Sequence, residues 1–120
     1  MAEDGQKDEP GSAPRLSGSR HVTRVLRTGS PHRSRRVVLY VAPGTGSSRA
    51  AWVTGRRVGG AVARNRARRL LREAWRRLAS RVAAGYELVL VARDSFGEAK
   101  ASDVVEEVEG LLRRAGVMRS

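Results

Sequence analysis

The stretch Gly55 to Arg77, GRRVGGAVARNRARRLLREAWRR, constrains the chain most, because it holds nine arginines and one acid yet keeps its apolar residues at a helical period. At about 100° per residue, Ala63, Ala67, Leu70, Leu71, Ala74, Leu78 and Val82 share one face, the i, i+3, i+4 pattern of a stripe that packs on a core. Asn65, Arg68, Arg69, Arg72 and Arg76 fall opposite. From Asn65 to Arg76 a helix rises roughly 16 Å at about 1.5 Å per residue, so this side forms a basic ridge long enough to follow several successive phosphates. A mixed-charge surface helix would pair acids with bases along its exposed face. Here Glu73 is the only acid available.

With 120 residues the chain fits one domain with a modest core. Its formal net charge of +12 favours a polyanionic partner through release of condensed counterions, with nucleic acid first among candidates. Of the 24 basic residues only Lys7 and Lys100 are lysine, and the planar guanidinium suits bidentate phosphate contacts. There is no cysteine, which excludes disulfides and thiolate metal sites and is compatible with a reducing compartment. The start MAEDGQKDEPGSAP has neither a basic n-region nor an apolar h-region, and no apolar run approaches a membrane span. A cytoplasmic protein is expected. A basic amphipathic helix can also lie on an anionic membrane, but those helices show a broad Leu, Phe or Trp face, whereas this one is largely Ala and Leu.

Residues 1–14 carry four acids against one lysine among Gly, Pro and Ser, and read as a disordered tail. From Leu16, Ser17 or Ser19 offers a cap for a short helix whose apolar face is Val22, Val25 and Leu26, with Gly29 and Pro31 as a stop. VVLYVA at Val37 to Ala42 and RAAWVT at Arg49 to Thr54 read as strands, and the glycine turn between them suggests a hairpin. After the basic helix, Gly85 is a candidate C′ glycine. ELVLVA at Glu87 to Ala92 has the continuous apolar character of a central strand covered on both faces. Asp103, with Glu106 three residues on, opens a last helix that buries Val104, Val108, Leu111, Leu112 and Ala115. The predicted order is α, β, β, α, β, α, with room for a further short strand. It gives an α+β sandwich in which helices pack on a small sheet, one domain over 15–116 with a short tail at 117–120.

No catalytic constellation emerges. His21 and His32 stand among arginines without ligand spacing, the acids cluster in the tail and the last helix, and Gly55 to Gly60 lacks the ending of a P-loop. Neither catalytic nor metal-ligating residues are assigned.

The segment VGGAVARNRARRLLREAW resembles the protein component of bacterial ribonuclease P, whose hallmark is an Arg-Asn-Arg motif opening a basic helix. Arg56, Arg57, Val58, Gly59, Ala61, Val62, Arg64, Asn65, Arg66, Arg68, Arg69, Leu70, Leu71, Arg72 and Glu73 fit that pattern. Arg15, Leu16, Val25 and Gly29, then VVLY at Val37 to Tyr40 and GYELVLVAR at Gly85 to Arg93, extend the resemblance to most of the chain.

The resemblance implies a ribonucleoprotein in which a large RNA cuts the 5′ leader from precursor tRNA, using magnesium ions that the RNA holds. The protein would bind no cofactor and no small-molecule substrate, and would have no membrane partner. It implies a left-handed βαβ crossover carrying the basic helix, against the general preference. Carried over by position, it assigns Arg64, Asn65, Arg66, Arg68, Arg69 and Arg72 to the catalytic RNA, with Arg57 near the metal-bearing junction; Arg56, and Arg76 from the helical face, are expected to contact the same RNA. It also implies a separate cleft for the single-stranded leader, at Val22, Leu26, Val37 and Tyr40, with Trp52 on the neighbouring strand as an added platform. Family members commonly carry phenylalanine at Val22, Leu26 and Val37, so this chain offers an aliphatic surface where they offer rings.

Other classes share parts of this pattern. A structural ribosomal protein would have the same charge and tail. A helix-turn-helix DNA reader needs a helix tightly preceding the basic one, where Trp52 to Gly60 reads as strand and glycine loop. A protein nuclease needs carboxylates or histidines clustered near the arginines.

Overall fold

A computed structural model describes residues 15–119; the expected tail at 1–14 and Ser120 lie outside the described residues. The elements are α1 (Ser19–Thr28), β1 (Ser30–Arg33), β2 (Val37–Pro43), β3 (Arg49–Thr54), α2 (Ala61–Leu78), β4 (Tyr86–Ala92) and α3 (Ala101–Ala115). The α+β class and the order of elements match the sequence reading, with β1 as the further short strand. Short 3₁₀ turns at Arg56–Val58 and Ala79–Arg81 flank α2.

The strands form one sheet in the order β1-β2-β4-β3. β1 and β4 run antiparallel to β2, and β3 runs parallel to β4. The expected hairpin between β2 and β3 therefore does not form, because β4 lies between them. Continuous apolar sequence explains the insertion: Leu88, Leu90 and Ala92 are buried on one face and Val89 on the other, and only an interior strand covers both. The hairpin is instead β1 to β2, with Ser34 N donating to Val37 O at 2.8 Å. Pro31 fits there because β1 is an edge, where a missing N–H breaks no ladder.

The glycine turn after β2 closes on the start of β4. Gly44 N donates to Gly85 O and Gly85 N to Gly46 O, both at 2.9 Å. Gly85, at φ 101, thus opens β4 rather than ending α2, which runs into the 3₁₀ turn directly after Leu78. Two other expected termini also move. α1 starts after Gly18, without a side-chain cap from Ser17 or Ser19. α3 starts at Ala101, so that Asp103 sits in its first turn and accepts from Lys100 N at 2.9 Å instead of serving as the cap itself.

α2 and α3 cover one face of the sheet. Ala67, Leu71, Ala74, Trp75 and Leu78 from α2 meet Val104, Val108, Leu111 and Leu112 from α3 over Val37, Leu39, Leu88 and Leu90. Trp75 is a core residue outside the expected stripe, while Ala63 is exposed and Leu70 half-buried at the stripe's margins. The opposite face carries α1 over a smaller cluster of Leu16, Val25, Ala42, Ala51 and Val89. The C-terminal segment is bound over its described part: Val117 is buried, Ala83 N donates to Val117 O, and Arg119 N donates to Arg81 O. Among the described residues no helix is long and apolar enough to cross a membrane.

Candidate nucleic-acid interface

The nine residues expected on the ridge divide by what they touch. Arg56 and Arg57 sit exposed on the 3₁₀ turn ahead of α2, and Arg69 and Arg72 are exposed on α2 itself. None of these four has a side-chain hydrogen bond or ion pair among the described residues, nor does the half-buried Arg64. Arg66 is committed to the fold: it donates to Gly97 O at 3.0 Å and Ala99 O at 2.6 Å in the loop before α3. Arg68 donates to Thr54 Oγ1 at 3.3 Å and to the Asn65 side-chain carbonyl, tying α2 to the end of β3. Arg76 pairs with Glu73 at 3.0 Å and Arg77 with the same carboxylate at 2.9 Å. The one acid of the basic segment is thus fully engaged at its far end. Arg56 and Arg57 ahead of α2, and Arg64, Arg69 and Arg72 along its first two-thirds, remain uncompensated among the described residues.

The five residues expected to line one cleft do not share a surface. Val22 and Leu26 from α1 and Tyr40 from β2 pack together over the small cluster beneath α1. Val37 and Trp52 belong to the opposite face, against α2 and α3, with Val37 fully buried. Strand alternation is the reason: successive side chains point to opposite faces, so Val37, Leu39 and Val41 face α2 and α3 while Tyr40 and Ala42 face α1. Trp52 is instead covered by Arg15, whose guanidinium carbon lies 5.0 Å from the ring centroid.

The missing members of the α1 face are Val53 and Val91. They pair across β3 and β4, and Val91 pairs with Val38 and Val89 with Tyr40 on the β2 side. The alternation from Tyr40 and the strand RAAWVT holds that signal, but it becomes readable only once the register with β4 is known. The resulting surface is aliphatic apart from Tyr40.

One acid lies at this face. Glu87, 5% exposed, accepts from Arg24 on α1 and from Arg49 on β3 at 3.1 Å. Arg20 and Arg27 line the polar flank of α1 with Arg24, around a shallow hollow that also includes Thr23 and Thr28. A second carboxylate, Glu107 of α3, accepts from Ser34 Oγ, Arg36 N and Arg36 Nη1 and holds the β1–β2 turn. Glu109 links α3 to Arg81; hydrogen bonds from Arg113 and then Arg81 hold its carboxyl below the usual glutamate range. Among the described residues no group of three or more His, Cys, Asp or Glu is placed to hold a metal ion.

The model of the Ribonuclease P family matches residues 12–116. The ribonuclease P protein component of Pelotomaculum thermopropionicum is 37% identical over 106 residues, covering 88% of this chain and 95% of its own. That of Chloroflexus aggregans is 41% identical over 105 residues, covering 86% and 78%. Among solved structures, the RNase P protein of Thermotoga maritima superposes with a TM-score of 0.73 at 27% identity, over 83% of this chain and 96% of that one. The Staphylococcus aureus protein gives 0.76 at 21% identity, over 89% and 99%, a likeness of fold.

Proposed function

The chain belongs to the ribonuclease P protein family, and from that premise we propose that it works as the protein subunit of ribonuclease P, assisting an RNA subunit that removes the 5′ leader from precursor tRNA. The observation that carries this reading is the unpaired row Arg56, Arg57, Arg64, Arg69 and Arg72 at the head of α2. These guanidiniums bind phosphates of the catalytic RNA. Arg66 and Arg68 hold α2 at the correct attitude, Asn65 orients Arg68, and Arg76 adds charge at the far end. Cleavage chemistry and its magnesium ions belong to the RNA, and the complex works in the cytoplasm.

The leader of precursor tRNA lies on the α1 face, against Val22, Leu26, Tyr40, Val53 and Val91. An aromatic platform contributes roughly 1 to 3 kcal/mol per stacked base. With Tyr40 as its one ring, this face holds the leader mainly by aliphatic contact.

The test is cleavage of 5′-labelled precursor tRNA by a bacterial ribonuclease P RNA at low magnesium, with and without the protein. The protein alone should be inert and should restore cleavage at the mature 5′ end when added to the RNA. Binding to the RNA with no change in cleavage would reduce the role to structural RNA binding.

A further inference from the structure

Val62 is 83% exposed, and among the described residues it is the one large hydrophobic side chain left in solvent. Local physics does not account for it. It stands in the first turn of α2, where a β-branched residue is a weak helix former and an acid would complement the helix dipole, yet that turn has no acid. Its surroundings are bare: Gly59, Gly60, Ala61 and Ala63 are all exposed, and a Cβ on Gly60 would meet nothing within 4 Å. On the helix it projects about 20° from Arg69 and well away from the core stripe. An apolar knob therefore stands on the same side of α2 as the unpaired Arg69, about two turns before it, with Arg56 and Arg57 on the 3₁₀ turn ahead of the helix.

Building on the RNA-binding reading above, we propose that Val62 packs against the face of an unstacked base, so that α2 recognises RNA where a helix is interrupted rather than a continuous duplex. Charge selects the occupant: Arg56 and Arg57 on the 3₁₀ turn ahead of the helix and Arg69 on the knob's own side repel a second copy of this chain and attract a polyanion. Phosphates offer no apolar surface, and in an uninterrupted helix the base faces are covered by their neighbours. Only unpaired nucleotides splay a base face out to a side chain. The arginines would hold the flanking phosphates while Val62 covers the base.

Binding is measured for the full chain and for Val62→Ser, over a range of salt, to two probes: a continuous RNA duplex and the same duplex interrupted by an internal loop of unpaired nucleotides. Because Val62 is 83% exposed and lies outside the core, Val62→Ser should melt with the unaltered chain. It should bind the interrupted RNA about threefold to tenfold more weakly, as expected when partial burial of a valine is removed. The slope of log affinity against log salt should stay unchanged, since every arginine still meets its phosphate, and Val62→Ile should retain full affinity. Equal weakening on both probes, or none on either, overturns the inference while leaving the ridge intact. Failure of the unaltered chain to bind either RNA overturns the RNA-binding reading and this inference with it.

Discussion

Arg66 and Arg69 lie three positions apart on α2, yet Arg66 donates to two loop carbonyls while the Arg69 side chain meets no partner among the described residues. Removing Arg66 leaves the part-buried Ala99 carbonyl short of a charged donor, at a cost of about 1 to 3 kcal/mol, whereas the exposed Gly97 carbonyl returns to water. Arg66→Ala should therefore lower the thermal midpoint. The double variant Arg69→Ala and Arg72→Ala should melt within about 0.5 kcal/mol of the unaltered chain. Its RNA affinity should fall less steeply with salt, by about one unit of slope for each phosphate that no longer has its arginine; an unchanged slope would remove these two from the interface. The sequence makes the nine arginines visible but cannot sort them. The partners that commit Arg66 lie more than thirty residues away, in a loop whose position depends on the finished sheet. The stripe read from the helical wheel stops just short of Trp75, about 20° beyond Val82. A wide indole reaches the core from an azimuth where a smaller side chain would remain at the margin, and only the packing of α3 against α2 reveals that space.

Elements are legible where their signal is local. β2, β3 and β4 can each be read from runs of apolar and β-branched residues, but pairing is a relation between distant segments, and the glycine turn after β2 suggests a hairpin that β4 interrupts. The same gap places Val37 and Trp52 in one cleft with Tyr40, although alternation sends them to the other face. α1 depends on little packing: a small apolar cluster and the Glu87 carboxylate that joins Arg24 to Arg49. Glu87→Gln should release α1 more than the sheet. Arg24 and Arg49 keep 46% and 39% of their side chains exposed, so solvent screening reduces the cost to about 1 to 2 kcal/mol, below that of a fully buried pair. Hydrogen exchange would register it as faster exchange of α1 amides with β4 still protected; equal acceleration of both would mean that α1 and the sheet open as one unit. Tyr40→Ala tests the leader surface separately. It should weaken binding of precursor tRNA with a leader about fivefold or more, within the range of one stacked base, and leave leaderless tRNA unaffected.

At the scale of the molecule, 24 basic residues stand against 12 acidic ones, so the folded chain carries a self-repulsion that the isolated ion pairs at Glu73, Glu107 and Glu109 offset only locally. Exposed pairs such as those of Glu73 with Arg76 and Arg77 contribute about 0 to 1 kcal/mol each and are weakened by salt. Repulsion summed over the whole surface is weakened as well, because the Debye length falls from about 10 Å at 0.1 M to about 3 Å at 1 M. The repulsive sum is the larger quantity in a chain of net charge +12, and salt should therefore raise the thermal midpoint of the free protein. RNA binding reverses the sign. A ligand that binds only the folded state stabilises it by an amount that grows with affinity, about 2.7 kcal/mol at a hundred times the dissociation constant. That affinity drops steeply with salt as counterions replace the arginines at the phosphates. Melting the protein with and without ribonuclease P RNA across a salt series should give two curves that start well apart, the complex higher, and converge as the free protein rises and the complex falls. A midpoint of the free protein that declines with salt would mean that its ion pairs outweigh the surface repulsion. Parallel curves would mean that the RNA is held by groups other than the arginines of α2.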